Sequence, residues 1–390
     1  MKPDSADVRA LRSIALQFWL NGVLFSSLVP RLPELRDQLG VSIEQLGQAL
    51  SMAMLGGIFG SLTVDWVCRR FNLKHVMILA ALLLIMAMGT IAFSPTLGVF
   101  ALLLAAMAAL DAYVDVAMNI QGSQLSARAR KPVMNRLHGL WSIGTVCGSL
   151  SAAAAIALGL GLQQQLLGLA LVSAGLLTYV VMGLKQPLAE PEPHAETVGR
   201  GGHWGRMGVF AVLGAVAITP ELISSDWSAF RIRDDLQQSN QLASFGFVVF
   251  GSGMMIGRLG GDEVMHRFGQ TRTLSVACLL AFLGIATTAF VDQVYGVFAG
   301  LVLAGLGVSV FFPTMYDNAA RASRNGGAAM LGAMTMGSRL AALGLPVMVG
   351  YVAAWQSVGM AFALLALPAI VVLALLSRTQ APAARPVTVG

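Results

Sequence analysis

Charge is what this chain has least of. Asp, Glu, Lys and Arg together make up 11% of its 390 residues, against roughly 25% in an ordinary soluble domain. A chain with 56% apolar residues has too few charges to cover the exterior of a soluble fold. That shortage excludes a soluble globular protein and points to one whose surface faces lipid. Cysteine is scarce as well. Cys68, Cys147 and Cys278 are odd in number, widely spaced and free of any CxxC, which excludes a disulfide framework and a thiolate metal centre. No GxxxxGK[ST] loop occurs, so nucleoside triphosphate hydrolysis is not the energy source. No His, Cys and acidic residues stand at metal-ligand spacing; no nucleophile–base–orienter set is visible, and no cofactor is implied. The net charge of +6 raises nucleic acid as a partner. The basic residues, however, sit in short turns between apolar runs, where membrane topology accounts for them.

What is there in abundance is long apolar runs. A membrane span takes about 20 predominantly apolar residues, and twelve runs qualify: 11–29, 43–64, 76–93, 97–125, 137–158, 162–184, 207–230, 242–261, 273–291, 294–320, 328–353 and 358–377. The polar N-terminus precedes a run without a small-residue cleavage site, so that run reads as a retained first span. The one long polar interval, rich in Pro, Glu and Gly, reads as a flexible linker over 185–206. It divides the chain into six-helix bundles at 1–184 and 207–390.

The halves share more than span number. The stretch GRLGGDEVMHRFGQTR at 257–272 ends an apolar, Gly-spaced run in an acidic and then basic turn. A shift of 197 residues superimposes Gly56 on Gly253, Gly60 on Gly257, Leu62 on Leu259, Asp65 on Asp262, Arg70 on Arg267 and Phe71 on Phe268. The chain is therefore an internal duplication. With both termini cytoplasmic, nineteen Lys and Arg fall on the inner side and four (Arg31, Arg36, Arg231 and Arg233) on the outer side, while Arg258 and Arg339 lie within apolar runs. The positive-inside rule fixes that orientation.

Twelve spans in two halves, a central linker and the G-x-x-D-x-x-x-x-R-x-G-x-x-R type turn resemble the major facilitator superfamily over essentially the whole chain. The second turn fits through Gly257, Asp262, Arg267, Gly269 and Arg272; the first departs, with Asn72 at the later Gly position. The runs DVAMN at 115–119, H-x-x-W-S-x-G-x-x-x-G at 138–148 and DWSA at 226–229 resemble the rhizopine-permease and fucose-permease-like branch. The resemblance implies an all-α integral membrane fold of two pseudo-symmetric six-helix bundles. It also implies a monomer in a bacterial inner membrane, alternating access about a central site, and a small polar, sugar-like or sugar-derived solute. It further implies that Asp65, Arg70, Asp262, Arg267 and Arg272 hold the cytoplasmic side closed and release it on opening; the plainer reading is that they only stiffen a turn.

Several residues stand out by chemistry alone. Asp111, Asp115 and Asn119 recur every fourth residue, on one helical stripe. Carboxylates within a membrane normally face a cavity or a partner, and two placed about 6 Å apart resist double ionisation. Either they carry protons, or Arg or Ser on neighbouring helices satisfies them. His138 can titrate with them or act as an interfacial hydrogen-bonding group, and Trp141, three residues on, can stack on a solute or pack in the core. In the seventh run Glu221 follows Pro220, which removes a backbone hydrogen bond, and Glu221 is the second candidate proton carrier. Asp226 and Trp227 read as an outer cap and aromatic belt. Arg339 lies too deep for easy snorkelling and calls for a partner, with Asp317 and Glu221 as candidates, whereas Arg258 is expected to snorkel to the surface. Gln17 and Asn21 share one face of the first span. Expected proton carriers are thus Asp111, Asp115, Glu221 and His138, and expected solute contacts are Gln17, Asn21, Asn119, Trp141, Asn318 and Arg339. The rivals are a proton-driven exporter of amphipathic compounds and a non-transporting sensor.

Overall fold

The computed structural model describes residues 5–129, 133–184, 204–323 and 329–379. Twelve of its helices are long and apolar enough to cross a membrane. They are α1 (Val8–Leu39), α2 (Ile43–Arg70), α3 (Leu73–Ile91), α4 (Leu97–Ser126), α5 (Arg136–Ala157), α6 (Leu162–Gly183), α7 (Trp204–Asp235), α8 (Asn240–Gly261), α9 (Gln270–Phe290), α10 (Val294–Ala319), α11 (Met330–Trp355) and α12 (Val358–Ser377). Every expected span is present. Most of the linker expected at 185–206 lies outside the described residues.

Local chemistry starts these helices where the apolar runs predict. Ser42 and Gln45 form a reciprocal capping box at the head of α2, and Ser239 and Ser357 each accept a backbone N–H at the heads of α8 and α12. Asn72, where the first turn departs from the superfamily pattern, accepts the N–H of Lys74 at 3.0 Å and caps α3. Three spans outrun expectation, α2 by running on to Arg70. α1 continues beyond 29 through a 3₁₀ turn at Val29–Arg31, and α7 continues beyond 230 through a π-helical turn at Arg231–Asp235. Pro30 sits at the first turn of that 3₁₀ segment, where no N–H is needed. Pro220 lies inside α7 without ending it.

The duplication reappears in the packing. α1 packs on α5 as α7 packs on α11, and α2 packs on α4 as α8 packs on α10. Gly56 lets α2 close on the backbone of Ala105, and Gly253 lets α8 close on the backbone of Val302. All four positions are related by the same 197-residue shift. Between the halves the seams are α2 on α11 and α5 on α8, which exchange under that symmetry.

The two ends of the bundle differ. At the end formed by the turns after α1 and α7, polar contacts join the two halves. There Arg36 pairs with Asp234, Arg233 pairs with Asp37, and Gln48 donates to Tyr351 at 3.1 Å. At the opposite end Asp65 is 70% exposed and pairs within its own helix with Arg69 at 2.9 Å, which is itself 64% exposed. Arg70, expected with Asp65 to hold this side closed, is exposed and does not pair with Asp65. The reason is geometric: α2 continues as helix to Arg70, so Arg69 at i+4 shares the face of Asp65. Arg267 is exposed with its guanidinium 5.6 Å from the Phe268 ring, and Arg272 is exposed at the start of α9. The side chain of Asp262 lies outside the described residues.

Candidate solute and proton site

Two chambers adjoin between the halves. The larger, about 480 Å³, is walled by α1, α2, α3, α4, α7 and α11. The smaller, about 270 Å³, is walled by α1, α4, α5, α7 and α8. Asn21, Phe25, Asp111, Leu222 and Asp226 line both. The wall of the larger chamber is mainly aliphatic, with Met54, Met88 and Met107 among Leu, Ile and Ala, and its polar groups are few: Asn21, Ser61, Asp111, Asp115, Asp226 and Arg339. The smaller is rimmed by Trp141, Ser142, Thr145, Glu221, Ser225 and Arg258.

A relay of two hydrogen bonds ties α5 to α1 and α1 to α4. The indole N–H of Trp141 can only donate, and it donates to Asn21 Oδ1 at 2.8 Å. That turns the Asn21 amide NH₂ toward Asp111, whose Oδ1 it reaches at 2.6 Å. Asn21 is therefore oriented by both neighbours and buried to 5% exposure. The Asp111 carboxylate is met by a neutral donor, not a cation. One turn on, Asp115 lines the larger chamber, and Asn119 donates to its carboxylate at 3.0 Å and to its main-chain oxygen at 2.8 Å. Asn119 itself lines neither chamber.

On the other half the assignments change. Glu221 accepts from Arg258 Nη2 at 3.2 Å, so α7 and α8 share an ion pair in the smaller chamber. Arg258 therefore does not snorkel to the surface, and Glu221 is not the partner of Arg339. Arg339 lines the larger chamber with no ion pair to any described residue. Asp226 lines both chambers, and its described hydrogen bond comes from the neutral hydroxyl of Ser225 at 2.8 Å. The outer cap expected of it is thus replaced by a place at the centre. Trp227 is fully buried, 5.2 Å from the Phe230 ring, and is no part of an aromatic belt. The signal missed was helix length. α7 ends at Asp235, nine residues beyond Asp226, where the apolar run alone suggested four.

Two more expected solute contacts, Gln17 and Asn318, and one expected proton carrier, His138, fall elsewhere. Gln17 is 2% exposed and lines neither chamber, and its Oε1 has no hydrogen-bond partner among the described residues. Asn318 is buried near the end of α10 and accepts from Gln270 of α9 at 3.1 Å, joining two helices. His138 is exposed near the start of α5, edge-on to Phe18 with ring centroids 5.3 Å apart, and also lines neither chamber. Among the described residues no group of His, Cys, Asp or Glu has the arrangement to hold a metal ion.

Twelve apolar helices around mainly apolar chambers that hold a few polar and charged groups, repeated in two symmetric sets, define a polytopic membrane protein. The family model of the Major Facilitator Superfamily matches residues 14–231, more than half of the chain. The chain belongs to that superfamily of transporters. It is 26% identical over 368 residues to an uncharacterised MFS-type transporter of Yersinia pestis, covering 91% of this chain and 92% of that one. It is 23% identical over 319 residues to the membrane protein MosC of Rhizobium meliloti, covering 80% and 75%. Among solved structures, the nucleoside transporter NupG superimposes with a TM-score of 0.71 at 15% identity, over 97% of this chain and 100% of that one; that likeness is one of fold.

Proposed function

We propose that the chain is a proton-coupled secondary transporter of a small organic solute, working by alternating access across the bacterial inner membrane with both termini in the cytoplasm. The observation that carries the reading is the pair Asp111 and Asp226. They come from opposite halves, line both chambers, and are met by Asn21 and Ser225, with no cationic partner among the described residues. A carboxylate so placed in a membrane costs several kcal/mol when ionised. A proton removes that cost, and so does a cationic or hydrogen-bonding solute. Competition between the two for the same carboxylates couples their movements. Glu221, tied to Arg258, serves as a fixed wall charge in this scheme. The small chamber, with its amide, indole and carboxylates, suits a solute rich in hydroxyl or amine groups, in keeping with a sugar-derived compound. A second reading, export of amphipathic compounds, is favoured by the aliphatic, Met-containing wall of the larger chamber. It leaves the proton chemistry unchanged. The basic turns at 69–74 and 267–272 support a cytoplasmic position for the exposed end and an outer position for the clasped one.

Reconstituted liposomes loaded with a pH-sensitive dye test the coupling. Panels of monosaccharides, nucleosides and amphipathic amines are added outside, and a transported solute is expected to drive protons in the opposite direction. Asp111→Asn and Asp226→Asn are each expected to lower proton-linked flux about 100-fold, whereas Gln17→Ala leaves it within a few-fold. Solute flux by the unaltered chain with no proton movement would defeat the proposal.

A further inference from the structure

We infer that Arg36, Asp37, Arg233 and Asp234 form a reciprocal latch between the two repeats, and that this latch sets how often the clasped end opens. The shift of 197 residues that relates the two acidic–basic turns also superimposes Arg36 on Arg233 and Asp37 on Asp234. Each arm therefore carries the dipeptide Arg-Asp at the same place. Across the interface each Arg pairs with the Asp of the other copy: Arg36 with Asp234 and Arg233 with Asp37. This is the self-complementary pattern of an isologous contact, in which residue i meets j and j meets i, here within one chain.

The surroundings are built to match. Both arms end on a left-handed residue, Gly40 at φ 63° and Gln237 at φ 53°, and both chains resume at a capping serine, Ser42 and Ser239. These four positions too are 197 apart in pairs. Arg36 holds Asp234 through both guanidinium nitrogens, the second at 3.2 Å, in the fork geometry that favours carboxylates. It also lies 5.5 Å from the Phe230 ring and turns back onto Asp37 at 2.9 Å. Each arm is rooted in its own half. Buried Arg31 reaches Gln165 of α6 and the Leu160 carbonyl just before it at 2.7 and 3.0 Å. Buried Arg231 reaches the Thr288 and Val291 carbonyls at 2.9 and 3.0 Å, while Asp235 accepts the N–H of Gly359 at 2.8 Å. The arms are stiff, so the latch moves only when whole halves move. Its four charges are partly exposed, and salt on that side weakens it.

The test uses the full chain in nanodiscs, with Cys68, Cys147 and Cys278 replaced by Ser and spin labels at Thr96→Cys and Gln356→Cys. These label sites are exposed turn positions after α3 and α11, one on each half, away from the latch. Their distance distribution reports whether this end is shut, and it needs no substrate, so it is independent of the transport reading. Arg36→Asp and Asp234→Arg are each expected to lower the shut-to-open ratio about tenfold, since each replaces attraction by repulsion. The double exchange, which restores opposite charges at both contacts, is expected to return the wild-type distribution. That restoration also shows that the single variants are folded. High salt is expected to shift the wild type about two- to fivefold toward open. Single reversals that leave the distribution unchanged, or a double variant that behaves as the sum of the singles, would overturn the latch.

Discussion

The two ends of this molecule are made from the same duplicated parts and behave differently. At the clasped end the turns after α1 and α7 meet, and ion pairs, a hydrogen bond and the α2–α11 seam join the halves. At the exposed end the turns after α2 and α8 carry the stronger sequence motif, yet Asp65 is bonded to Arg69 of its own helix. Motif strength is therefore a poor guide to which contacts exist in one conformation. Alternating access, as proposed, calls for an interface at each end in turn, and the clasped end carries ion pairs and a hydrogen bond between the halves. The clasped end owes its ion pairs to four residues that no recognised motif marks.

The largest effect is expected from making the clasped end permanent. Asp37→Cys with Arg233→Cys, joined by a short bifunctional thiol reagent in a background without other cysteines, is expected to abolish solute exchange in liposomes. The same reagent on either single variant is expected to leave it intact; exchange persisting in the linked protein would show that this end need not open. Next in size is a wedge in the seam. A Cβ at Gly47 would run into the Pro346 carbonyl of α11, whereas one at Gly260 on α8 meets nothing within 4 Å. Gly47→Ala is expected to destabilise the detergent-solubilised protein by about 1–3 kcal/mol in thermal unfolding. Gly260→Ala should be neutral or slightly stabilising through helix propensity. Equal effects at both sites would mean that the seam is loose. The smallest effect belongs to Asp65→Asn. Its pair with Arg69 is exposed and screened by water, so unfolding of this conformation should hardly change.

The sequence carried the architecture because lipid imposes a length and polarity on each helix that apolar runs record directly. Most span ends were legible to a few residues, but α1, α2 and α7 run ten, six and five residues past their apolar runs; the duplication was legible to the residue. The site was legible where one helix sufficed: Asp111 and Asp115 share a stripe on α4, and both line the larger chamber. It failed where partners come from different helices. Nothing in the chain order says that Arg258 reaches Glu221, or that Asn21 stands between Trp141 and Asp111. Asp226 was hidden by a helix that runs five residues past its apolar stretch, because a π-helical turn and a satisfied Arg231 let charged residues remain helical. Arg36 and Asp37 were hidden as ordinary polar turn residues, although the repeat that pairs them with Arg233 and Asp234 was already in view.

The crossed arrangement of Arg36, Asp37, Arg233 and Asp234 constrains how the chain can be inherited. With the latch in place, a charge change in one copy is balanced by a change in the other, about half the chain away. A chimera that grafts one half from a relative inherits the fit only if the donor keeps Arg before Asp in that turn. A donor with the reversed order would place like charges face to face, although each half alone is soundly built.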